Sequence, residues 1–75
     1  MSAQDERLSL LAHIEKHIAE GHGHIAKMQL LIADGERERF DMTEAKLRLA
    51  EFLTAQAGRQ AHREQVLAQL CQMDT

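Results

Sequence analysis

Leu11, Ile14, Ile18, Ile25, Met28 and Ile32 recur at alternating steps of three and four, with Gly21 at the one vacant position and Gly35 next in line. This is a heptad register, which lays a single apolar seam along one side of a helix and has no counterpart in a strand. A seam of that length has to be covered, so the first helix expects a helical partner. No proline interrupts the chain, and Ala, Leu, Glu, Gln and Arg, all favourable in helices, are abundant.

Ser2 can cap the first helix, with Asp5 close to the positive end of its dipole. Between Glu36 and Asp41 charge is dense and the apolar pattern lapses. Gly35 could end the helix in the left-handed conformation, but Glu36, Arg37 and Glu38 are adequate helix formers, so helix one is expected over about 2–38. A turn at about 38–41 follows, and Asp41 with Glu44 reads as a capping box for helix two, about 42–72. Helix two presents Ala45, Leu49, Phe52, Gln56, Arg59, Arg63, Val66 and Leu70 at the same spacing, polar at its centre. A turn this short permits only antiparallel neighbours. It sets Met28 near Leu49, Ile25 near Phe52, Gly21 near Gln56 and Leu11 near Val66. The expected fold is all-α: one domain over 1–75, an antiparallel two-helix, coiled-coil-like hairpin that pairs into a four-helix bundle.

A 75-residue chain buries a modest share of its surface and usually needs a disulfide, a metal or a partner subunit. Cys71 is the only cysteine, so no disulfide can form within the chain and a reducing, cytoplasmic setting fits. Met1 to Arg7 are polar and acidic, which does not read as a signal peptide, and no apolar run reaches membrane-spanning length. Leu8, Leu10, Leu30, Leu47, Leu53 and Leu67 lie off the seam and predict a further partner. That partner is a second copy, giving a homodimer or higher oligomer, or another protein. A net charge of −3, with Phe40 and Phe52 the only aromatics, argues against nucleic acid. An RNA-binding hairpin dimer would need Lys46, Arg48, Arg59 and Arg63 gathered on one exposed face.

In the middle of the hairpin, Ala19, Gly21, Gly23 and Ala26 meet the region of Ala55, Ala57, Gly58 and Ala61. Small residues there predict a waist of close backbone approach, at Gly21, Gly23, Ala57 and Gly58 above all. Two glycines within three residues cost a helix roughly 2 kcal/mol relative to alanine, so the waist should require them, or the helix bends there.

Residues His17-Ile18-Ala19-Glu20-Gly21, His24-Ile25-Ala26, Leu31-Ile32-Ala33, Asp41 with Glu44-Ala45, Phe52, and His62-Arg63-Glu64 with Val66-Leu67 run in order without gaps. In these stretches the chain resembles a group of small uncharacterised bacterial proteins that look like charged helical hairpins. The group has leucine where this chain has Gln56 and Gly35, and histidine where it has Arg59. The resemblance implies the hairpin and carries no activity with it.

Four of the five histidines lie between His13 and His24. His13, His17, Glu20 and His24 fall within a sector of about 60° on a helix of 100° per residue, flanking the seam, and antiparallel pairing brings His62 level with His13 and His17. Imidazoles at i and i+4 with a third from a neighbouring helix can hold zinc or a similar divalent metal, here His13, His17 and His62 with Glu20 or His24 contributing. The alternatives are a solvated rim and a pH-sensitive cluster. Arg59 and Arg63 occupy seam positions and need either an acidic partner, such as Glu15, Glu20 or a second subunit, or a route outward for their long stems. No phosphate loop and no activated nucleophile can be assembled from two such helices, so no catalysis, and no cofactor other than such a metal, is expected.

Overall fold

The computed structural model describes residues 2–73. Two helices, α1 (Ala3–Arg37) and α2 (Thr43–Met73), lie antiparallel in a hairpin with extents of 57 × 15 × 14 Å. Both helices begin and end within one residue of the expected bounds.

The capping groups account for the ends. Ser2 Oγ accepts a hydrogen bond from the Asp5 amide at 3.1 Å, and Asp5 and Glu6 occupy the acidic first turn. At the other end of α1 the Arg39 amide donates to the Glu36 carbonyl at 3.0 Å, and the Phe40 amide to the Gly35 carbonyl at 2.8 Å. These two bonds are the Schellman pair, and they require the left-handed conformation that Arg39 adopts, with φ at 66°. Gly35 is therefore inside the helix, and an arginine takes the position that glycine usually fills. Asp41 Oδ1 opens α2 by accepting from both the Thr43 amide at 3.1 Å and the Thr43 hydroxyl at 2.6 Å. The cap is thus made with Thr43 instead of the expected Glu44, because amide and hydroxyl of one residue reach the same oxygen. Those two bonds, hydroxyl first, hold the Asp41 carboxyl below its ordinary range, so the cap persists until the pH falls through that lowered value.

The seam of α1 is continuous. Arg7, Leu11, Ile14, Ile18, Gly21, Ile25, Met28, Ile32 and Gly35 are the covered or half-covered residues of that helix, in unbroken three-four alternation. From Met42, just ahead of α2, the same spacing runs through Ala45, Leu49, Gln56, Arg59, Arg63, Val66 and Leu70, all covered or half-covered, with one gap at Phe52. Ile14, Val66 and Leu70 form the buried cluster toward the open end, with Leu11 and Ile18 packed against it. Phe52 departs from expectation. Although it holds a seam position it is 39 % exposed, its ring turned to the flank and stacked on His24 at 6.3 Å between centroids.

Left-handed backbone costs an L-residue about 1–2 kcal/mol, a penalty that glycine escapes at some expense in unfolded-chain entropy. Arg39→Gly is therefore expected to stabilise the hairpin by about 1 kcal/mol, read as a higher denaturation midpoint in urea with an unchanged slope.

Candidate functional site

The centre of the hairpin is organised by a polar residue. Gln56, at a seam position of α2, is only 4 % exposed and is the one buried polar side chain among the described residues. Its Nε2 donates to the Ile18 carbonyl of α1 at 2.7 Å, and its Oε1 accepts from Arg59 Nη1 at 3.1 Å. Both ends of the carboxamide are satisfied, which a buried amide requires. Among the described residues no buried side-chain nitrogen or oxygen lacks a partner.

Gly21 makes the room. A β-carbon there would lie 2.9 Å from Gln56 Cδ and collide with its oxygen. The close approach expected at the waist is thus real at Gly21, but it is glycine against a side chain. A second instance occurs at the turn, where a β-carbon on Gly35 would run into the Met42 thioether. Gly23, Ala57 and Gly58 do not belong to the waist. All three are exposed, and nothing lies within 4 Å of where a β-carbon on Gly23 or Gly58 would stand. Their positions explain this: two residues along a helix from a seam position the surface has turned about 200° and faces outward.

On one flank of this centre lie the histidines. His13 and His17 hold their rings 4.5 Å apart at 45°, in a recess shared with Leu10, Ile14, Arg59 and His62. A neighbouring recess is lined by His17, Glu20, Gly21, His24, Phe52 and Arg59. The expected flank is therefore assembled, and His62 does join it from α2. The expected metal site is not, since among the described residues no three His, Cys, Asp or Glu side chains come together so as to hold an ion. His13 and His17 face one another's rings, and Arg59, a fixed cation, lines both recesses, where it would repel a second one.

The seam arginines find different partners. Arg63 Nε lies 3.7 Å from Glu15 Oε1, one of the carboxylates expected for it, with both side chains more than two-fifths exposed, so the pair contributes little. Arg59 turns to Gln56 instead. Arg7 Nε donates to Gln69 Oε1 at 3.1 Å and ties the open end. The cross-helix bond of Gln56 is the feature that residue-by-residue reading missed. Its signal was present as a glutamine level with a glycine in an otherwise apolar seam.

Among the described residues no helix is long and apolar enough to cross a membrane. Compared with family models, curated proteins and solved structures, the chain matches none.

Two predictions test this centre. Gly21→Ala gains helix propensity but displaces the Gln56 carboxamide from a site where leaving it unbonded costs about 1–3 kcal/mol, so it should destabilise. In a Gln56→Ala background the obstacle is gone and the same substitution should stabilise. Gly23→Ala, facing open space, is the propensity reference, expected at about +1 kcal/mol. Additive effects of the two substitutions would show that Gln56 is not seated in the space at Gly21. Micromolar zinc, in turn, should leave the unfolding temperature unchanged. A rise that His17→Ala with His62→Ala abolishes would show that the imidazoles converge on an ion after all.

Proposed function

We propose that the chain is a non-enzymatic interaction module, a helical hairpin that works by associating with a second copy of itself into a four-helix bundle. What supports this most is the imbalance between its covered and uncovered apolar side chains. Ile14, Ile25, Ile32, Val66 and Leu70 are the buried ones, whereas Leu8, Leu10, Leu30, Leu31, Phe40, Leu47, Phe52, Leu53 and Met73 are exposed, Leu30 and Phe40 to 68 %. Two helices offer one seam, and apolar surface on their outer sides is covered only by a further layer. The exposed thiol of Cys71 suits a reducing compartment such as the cytoplasm.

Size-exclusion chromatography with light scattering tests the reading directly. The expected mass is twice the 8.5 kDa of the chain, with an unfolding midpoint that rises with protein concentration. A folded monomer at high micromolar concentration would overturn it and leave a different protein as the partner.

A further inference from the structure

The two flanks of the hairpin differ in chemistry. Opposite the histidine flank, α1 carries Ala12, Ala19, Ala26 and Ala33 at successive seven-residue steps, with Leu8 beside them. On the same side α2 carries Ala50, Leu53, Ala57 and Leu67. The alanines are all exposed, Leu53 is 47 % exposed, and Leu67 is half-buried. Two ion pairs lie on this flank, Lys46 with Glu36 and Arg63 with Glu15, and Glu64 stands beside Arg63 and Gln60. We infer that a second copy of this chain covers this flank, antiparallel, with the two turns at opposite ends. The inference rests on the self-association proposed above and goes on to name its surface, which takes in Leu8 and Leu53 of the exposed apolar side chains.

Symmetry carries the assignment. A pair of identical chains related by a two-fold axis must present each contact twice, so the surface has to complement its own reversed image. On α1 the reversed image about a point between residues 22 and 23 sets Ala19 against Ala26 and Ala12 against Ala33 of the second copy. On α2 the reversed image about residue 55 sets Leu53 against Ala57, a large side chain over a small one, and Lys46 against Glu64. These two centres lie on different helices. Within the hairpin they fall at one level, because Gln56 lies against Gly21, Gln69 against Arg7 and Met42 against Gly35. One axis therefore serves both helices.

The other stacking, with both turns at the same end, would put Glu15 of one copy beside Glu64 of the other, and like charges oppose it.

The test separates this surface from self-association itself. Light scattering on the unaltered chain comes first, and a monomer defeats both. Given a dimer, Ala19→Arg should yield a helical monomer, since Ala19 is exposed in the hairpin and the substitution leaves its seam untouched. Gly58→Arg, away from this flank with open space around it, should remain dimeric. His22 lies beside the axis and faces its own copy, so His22→Cys in a Cys71→Ser background should oxidise to a disulfide-linked dimer, while His17→Cys in that background should not. In a chain that dimerises, a dimeric Ala19→Arg variant or a His22→Cys variant that fails to cross-link overturns this pairing and leaves self-association standing.

Discussion

The carboxamide of Gln56, held across the hairpin on the Ile18 carbonyl with Gly21 making room, fixes where one helix stands against the other. A seam of Ile, Leu and Val alone specifies its register weakly, because a slide of one heptad exchanges one apolar layer for another. A buried amide does not slide. Moved by seven residues, Gln56 would meet Ile14 or Met28 in place of Gly21 and would lie unbonded among apolar atoms. A single polar seam residue fixing register at some cost in stability is well attested in coiled coils, and this hairpin uses one at mid-length.

Every other cross-helix contact depends on that register. Arg63 reaches Glu15, Arg7 reaches Gln69, and His62 joins His13 and His17 only at this setting. The turn enforces the same setting independently. Met42 lies in the space left by Gly35, and the Schellman bonds at Arg39 and Phe40 bring the chain round to place it there. Two glycine notches, Gly21 and Gly35, receive two side chains, Gln56 of α2 and Met42 just ahead of it. A helix pays for glycine in propensity, and here each of the two seam glycines has a side chain in its place.

Much of the fold was legible because the chemistry of a seam repeats. Three-four spacing over α1, a densely charged break after Gly35 and a second run in α2 are enough to place two antiparallel helices to within a residue at each end. What failed to be legible was local. Gly23 and Gly58 are compositionally the same as Gly21, and only the angle at which each faces the partner separates a notch from an exposed residue. The flank of His13, His17, Glu20 and His24 was readable from spacing, since 100° per residue puts them on one side. Whether their nitrogens converge was not, because that depends on rotamers and on Arg59, whose guanidinium follows Gln56 into the centre and so lines both recesses.

The same bond that sets register therefore also sorts the flanks. Arg59 leans toward the histidine side, concentrating there a permanent cation, four imidazoles and an open recess that water can fill. Arg63, one turn on, lies at Glu15, on the other side, so its charge is matched where, among the described residues, Arg59's is not. Burying the histidine flank would strip water from an arginine bonded to a neutral amide, a desolvation that neutral hydrogen bonds offset poorly. Burying the alanine flank removes methyl groups and two leucine side chains from water together with two ion pairs, Lys46 with Glu36 and Arg63 with Glu15, whose charges are already opposed. The charge of Arg59, opposed by no carboxylate among the described residues, thus ranks the two surfaces, and it ranks the one built of alanine first.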